Sequence, residues 1–169
     1  MLTGSKKHIR VAAVILTITA ALFFLTHTGH YLTLRNRDTK EVYARYRMRE
    51  GERFSVTFIH SVNKYPLTDI YEICDGSIFV EETVYCSFGA GVQTELTPGE
   101  TLRTVYIDRD DYQGKAMVVG NIHQNRDNVG YVVGTVSDHV LEVNGQQISL
   151  RDLCGRNAHV RFNYEFWWF

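Results

Sequence analysis

The chain has little of what breaks, staples or charges a fold. Two of its 169 residues are proline, Pro66 and Pro98, and no repeat, low-complexity run or proline-rich linker divides it. Its three cysteines, Cys74, Cys86 and Cys154, include no CxxC pair, which argues against a thiolate metal site. Buried free thiols are expected, with room for one disulfide whose pairing the sequence does not give. No two histidines have zinc spacing. Asp108, Asp110 and Asp111, with Asp127 downstream, lack the turn glycine of an EF-hand loop and read as an exposed acidic turn. There is no Gly-x-Ser-x-Gly elbow to present a serine nucleophile. Neither a metal nor a cofactor is expected.

Positive charge is not in excess either. Lys and Arg number 18 against 19 Asp and Glu. Lys6, Lys7 and Arg10 precede every acidic residue, so the rest of the chain carries 15 cations against 19 anions, a net charge of −4. No basic stripe interleaves with aromatics, and nucleic-acid binding is excluded. Arg45, Arg47 and Arg49 share one strand face, but Glu41, Glu50 and Glu52 lie close by, so that face reads as solvated.

Those three early cations introduce the one long apolar run. Residues 11–25 carry no charge, and Thr17 and Thr19 are their only polar interruptions. A basic n-region before an apolar h-region is the layout of a secretory signal. A membrane span wants about 20 apolar residues, so Thr26, His27, Thr28 and Gly29 have to extend this one. Leu25-Thr26-His27-Thr28-Gly29 is a poor cleavage site, and no cysteine lies near the end of the segment for lipidation. Residues 1–28 are therefore read as a signal anchor, the alternative being a cleaved signal peptide. The expected protein is single-pass in the cell membrane, with its amino terminus cytoplasmic. Residues 29–37 read as a short stalk or first strand, and 38–169 as the extracytoplasmic domain.

Beyond residue 30 no amphipathic helix of three turns is expected, and the apolar pattern has period two. Val42, Ala44, Tyr46 and Met48 alternate with Tyr43 and the arginines. Asp75-Gly76 and Asn144-Gly145 each sit between such runs, and both pairs tolerate the positive φ of a two-residue hairpin. A tight turn at Asp75-Gly76 sets Cys74 against Ser77 and Cys86 against Tyr65, so Cys74 and Cys86 are not cross-strand partners. About ten short strands imply an all-β fold, an antiparallel β-sandwich or partly closed barrel preceded by one transmembrane helix. Phe162, Tyr164, Phe166 and Trp168 form one row of the last strand, read as its core face, with Trp167 and Phe169 exposed on the other.

One strand carries an anomaly. Phe54, Val56 and Phe58 alternate with Ser55 and Thr57, and His60 then occupies a place in the apolar row, just before the turn at Pro66. Such an imidazole is either a satisfied core histidine or the anchor of a site. Asp69 lies across the Pro66 turn. Further on, Ser87-Phe88-Gly89-Ala90-Gly91 brackets a turn with two glycines, whose backbone N–H groups are able to form an anion-binding nest. A Ser61-His60-Asp69 triad fails on geometry, because neighbours on a strand point to opposite faces. Cys86 in apolar surroundings is expected to be inert.

His60-Ser61-Val62 with Pro66 and an acid at 69, then Phe88-Gly89-Ala90-Gly91, resembles a bacterial family of unknown function, domain-of-unknown-function family 1850. Gly51 before the Phe54 strand and Asp138-His139-Val140-Leu141 with Asn144-Gly145 extend the likeness over roughly residues 31–152. The resemblance implies a small membrane-anchored or secreted protein, often encoded beside TAXI-type tripartite transporters, with no established activity. Members usually carry glutamate where Asp69 stands. The expected function is thus non-enzymatic: an extracytoplasmic accessory that recognises a transporter's membrane subunit or solute-binding protein. The alternative is a module that binds a small anionic metabolite. In both, His60, Ser61, Asp69, Ser87, Gly89, Ala90 and Gly91 form the recognition site.

Overall fold

The computed structural model describes residues 3–87, 95–134 and 137–168. Helix α1 (Thr3–His27) leads directly into β1 (Gly29–Asn36), and the chain continues as β2 (Val42–Arg47), β3 (Arg53–Ile59), β4 (Pro66–Cys74) and β5 (Ser77–Tyr85). Next come β6 (Thr101–Arg109), β7 (Tyr112–Asn125), β8 (Gly130–Val132), β9 (His139–Val143) and β10 (Gln146–Ser149). A single turn of helix, α2 (Leu150–Cys154), precedes β11 (His159–Trp167). The strands form two antiparallel sheets, ordered β2-β1-β11-β8 and β10-β9-β3-β4-β5-β7-β6. They face one another as a sandwich, and among the described residues they form no closed barrel.

The apolar rows explain the layering. Leu32 and Leu34 of β1, Phe162 of β11, Phe54 and Val56 of β3, and Leu141 and Val143 of β9 point into one core. Within residues 29–37, Gly29–Asn36 form the strand β1. β1 lies between β2 and β11, and Leu32 and Leu34 are fully buried. Both predicted hairpins are present, with φ of 50° and 73° at Asp75 and Gly76 and of 53° and 71° at Asn144 and Gly145.

Across the core, aromatic rings join the sheets. Phe54 stacks on Tyr71 at 4.9 Å and on Phe162 at 5.9 Å, and Phe162 meets Tyr131 edge-on at 5.9 Å. The Tyr71 and Tyr131 hydroxyls then close the circuit with a hydrogen bond of 2.5 Å.

The β4–β5 pairing is interrupted in a way the sequence does not announce. Tyr71 faces Val80, but Ile70 faces Glu82, so Glu81 is extra. The same level is irregular on the other side of β5, where Val80 faces Gln124 and Glu82 faces Gly120. Asn121 and His123 take the left-handed conformation there, with φ of 54° and 43°, and His123 Nδ1 lies 2.7 Å from the Glu81 carboxylate. Each bulge shifts which side chain faces which partner. Cys86 therefore donates its N–H to Pro66 instead of standing opposite Tyr65, while Cys74 does face Ser77. The three cysteines are free. Burial pushes all three thiols upward in pKa, Cys154 to about 11.

Along α1, large apolar side chains such as Leu16 and Phe24 are exposed. Among the described residues no helix is long and apolar enough to cross a membrane. The last strand also departs from its expected pattern. Phe162 is buried and Tyr164 half-buried, but Phe166 and Trp168 are exposed at 55% and 71%. That row outruns the core beneath it. Trp167, expected to be exposed, is half-buried under the Arg45 guanidinium, 3.7 Å from its ring centroid.

Phe162 is fully buried between Phe54 and Tyr131, so Phe162→Ala is expected to cost about 3–5 kcal/mol of stability. Equilibrium urea denaturation measures it, and a loss under about 1 kcal/mol would show that the aromatic circuit does not join the sheets.

Candidate functional site

His60 begins the β3–β4 connection. Its N–H donates to Tyr65 O at 2.9 Å, and its own carbonyl accepts from Lys64 N at 3.0 Å. The ring Nδ1 accepts from Val62 N at 3.4 Å. Asn63 Nδ2 then donates to Ser87 O at 3.3 Å, tying this turn to the end of β5. Two of the expected neighbours, the His60 turn and Ser87, are thus brought together. Ser61 lies in the same turn and is exposed. Gly89, Ala90 and Gly91 lie outside the described residues.

Asp69 is not their partner. Its register partner on β3 is Val56, three rungs inward from the Ile59–Pro66 pair that ends the ladder. One carboxylate oxygen accepts from Thr83 Oγ1 at 2.9 Å and the other from the Tyr131 hydroxyl at 3.0 Å. The expected His60–Asp69 pair is therefore not formed. The physical reason is the strand's length: β4 carries Asp69 away from the turn before its side chain finds a donor.

Asp69 stands in the core row of β4, between Leu67 and Tyr71. Burial pushes its carboxyl above the usual range, while the Thr83 and Tyr131 donors and the Arg126 charge favour the ion. Burial also raises the phenols of Tyr71 and Tyr131, so both remain hydrogen-bond donors at neutral pH. With Tyr131 donating to Asp69, Tyr71 donates to the Tyr131 oxygen. The result is a relay of hydroxyls ending on a half-buried carboxylate.

This relay opens onto a cleft of about 530 Å³. The smaller sheet stops at β8, three residues long, whereas the larger sheet runs on through β5, β7 and β6. Asp69 and Tyr71 of β4, Thr83 of β5, Gln124 of β7 and Tyr131 of β8 line the space left between them, and Arg126 completes it from the turn after β7. That turn is fixed. Asp127 accepts from Ile78 N at 2.9 Å and from Asn125 Nδ2 at 3.2 Å, and Arg126 N donates to Ile78 O at 2.7 Å. The Arg126 side chain is exposed and makes no ion pair among the described residues.

A second cleft, of about 500 Å³, contains His60, Ser61, Phe58, Lys64 and His139. His139 is 8% exposed and stacks on Phe58 at 5.1 Å. Its Nδ1 accepts from Gly134 N at 3.3 Å, and burial lowers its pKa, keeping the ring neutral. Tyr131 separates the two clefts. Its ring lies 5.6 Å from His139 while its hydroxyl holds Asp69.

Sequence reasoning missed Tyr71, Thr83, Arg126 and Tyr131. Tyr71 was within reach, because Leu67, Asp69, Tyr71 and Ile73 form one period-two row with a single charged member. Among the described residues no group of three His, Cys, Asp or Glu could hold a metal. Asp111 pairs with Arg109 at 2.9 Å, and Asp108 accepts from Gln113.

The sign of Asp69's shift gives a test. A raised pKa means that the folded protein holds the proton more tightly than the unfolded chain does. The stability it contributes is complete below 3.8 and is lost as pH rises through the folded value. Asp69→Asn is therefore expected to melt above the parent at about pH 7, with the gap narrowing toward pH 3.8 in scanning calorimetry. A gap independent of pH would refute the assignment.

A family model described as Domain of unknown function (DUF1850) matches residues 54–150, more than half of the chain, and the protein belongs to that family. No curated protein and no solved structure matches it. The matched segment contains Asp69, Tyr71, Thr83, Arg126, Tyr131 and both cleft histidines. It begins after β1 and β2, which the sequence resemblance had included in part, and ends before β11.

Proposed function

We propose that this member of the DUF1850 family is a non-enzymatic, extracytoplasmic recognition domain, tethered through α1, that binds a small organic acid in the Asp69 cleft. One observation carries the reading. A half-buried carboxylate, its oxygens held by Thr83 and Tyr131, shares a cleft with the Arg126 guanidinium, which makes no ion pair among the described residues. Arg126 suits a carboxylate on the ligand. Asp69 and the Tyr71–Tyr131 relay suit a hydroxyl or ammonium group that donates a hydrogen bond. The ligand class is then a hydroxy acid or amino acid, a narrower form of the anionic metabolite expected from sequence. A cleft this size with a few convergent polar groups is typical of small-molecule sites.

Support for a non-enzymatic role comes from the nucleophile candidates. Among the described residues no hydrogen bond joins Ser61 to a base, and the Nδ1 of the adjacent His60 accepts from Val62 N. Burial holds the Cys86 thiol above its ordinary pKa, where it is a poor nucleophile. The role we assign is that of accessory to a TAXI-type tripartite transporter, contacting its solute-binding protein or membrane subunit. That assignment rests on the family resemblance.

Isothermal titration of the full-length protein in detergent with a panel of hydroxy acids, amino acids and dicarboxylates tests the ligand. Saturable binding is expected, weakened at least about tenfold by Arg126→Ala, the loss of one charge-assisted hydrogen bond. Arg109→Ala, outside the cleft, is expected to bind like the parent. No saturable binding across the panel, or equal affinity in Arg126→Ala, would overturn the reading. For the partner, the full chain retrieved from gently solubilised native membranes is expected to bring transporter subunits with it. Retrieval without them would overturn that part alone.

A further inference from the structure

The end of the smaller sheet nearest α1 is aromatic on both sides. β1 and β11 pair with Gly29 opposite Trp167 and His30 opposite Phe166, so the carboxy-terminal aromatics stand beside the point where α1 enters the domain. On the core-side row, His30 stacks on Tyr164 and meets Phe166 edge-on, with both centroids 5.2 Å away. Phe166 and Trp168 continue that row into solvent. On the opposite row, Arg45 lies over Trp167, and Arg47 Nη2 reaches Thr28 O at 3.3 Å. Gly29 leaves room for that arginine, since a Cβ there would lie 3.2 Å from Arg47 Nε.

No spacer separates this rim from the helix. Thr28 is the single residue between α1 and β1, and its N–H still donates to Phe24 O at 2.9 Å. The uncharged run of residues 11–25 is about 22 Å long as a helix, against a hydrocarbon core of about 30 Å. A tether that short draws the adjoining domain down to the bilayer surface. The rim presented there consists of tryptophan, phenylalanine, histidine and arginine. Aromatic side chains with a polar edge favour the headgroup layer, and arginine is complementary to lipid phosphate.

We infer that the rim formed by His30, Arg45, Phe166, Trp167 and Trp168 seats in the headgroup layer of the membrane that holds α1, fixing the β domain against the lipid. This rests on the tethered reading proposed above. It goes beyond that reading in making the domain itself, not only the helix, a lipid-binding element.

Trp167 and Trp168 are the only tryptophans in the protein, so intrinsic fluorescence reports on the rim alone. The full chain is reconstituted into phosphatidylcholine–phosphatidylglycerol vesicles, and flotation is measured beside quenching by lipids brominated at shallow or deep acyl positions. Seating predicts flotation, blue-shifted emission, and stronger quenching by shallow than by deep bromines. Phe166→Ser with Trp168→Ser is expected still to float, while the remaining Trp167 loses most of its quenching. Flotation with unshifted, unquenched emission in the parent would overturn the seating and leave the tether standing. Failure to float would overturn the tether, and the seating with it.

Discussion

Everything in the domain is arranged around a circuit of four aromatic side chains closed by one phenolic hydrogen bond. Tyr71, Phe54, Phe162 and Tyr131 pass from one sheet to the other and back. Two are tyrosines for a physical reason: the circuit ends at the edge of the core, where a ring has to be apolar on one side and polar on the other. Their hydroxyls face the cleft, so the group that closes the core also supplies donors for Asp69. Core packing and the candidate site are in this sense one construction. Tyr131 extends it further, because its ring also packs against His139 in the second cleft.

The bulge at Glu81 is what makes a carboxylate tolerable at position 69. Had β4 and β5 kept the register of their hairpin end, Asp69 would face Glu82, and two acids would oppose each other. With one residue inserted, Asp69 faces Thr83, a donor, and Glu82 turns outward to pair with Arg103 at 2.5 Å and Arg53 at 3.7 Å. The matching irregularity in β7 lets the sheet absorb the insertion. It is held by the His123–Glu81 contact and by His123 stacked on Phe79 at 4.6 Å. Bulges that re-aim side chains beside a binding cleft are a recurrent use of this irregularity.

Much of the architecture could be read from residue order, and much of the site could not. Period-two rows and the two glycine-containing turns specify the strands and hairpins, because both signals are local. The Asp75-Gly76 turn even places Cys74 against Ser77 correctly. It fails at Cys86 because a bulge leaves no mark in the alternation of Val80, Glu81 and Glu82. His60 was legible as a polar member of an apolar row and Asp69 as an acid across the Pro66 turn, yet their separate surroundings were not. Tyr131 reaches Asp69 only because β8 pairs with β11 at the far end of the chain. The exposure of Phe166 and Trp168 is a related case: alternation tells which side of a sheet a residue faces, not where the core beneath it stops.

The position of β1 has a mechanical consequence. β1 is the strand that α1 enters, and it lies between two antiparallel neighbours that bond it along nearly its whole length. A pull transmitted through α1 acts along this strand, in shear, against two hydrogen-bonded ladders at once. Those bonds have to fail together, whereas an edge strand peeled from its end gives them up one at a time. Force applied to the domain through α1 therefore meets the most cross-braced strand of the smaller sheet.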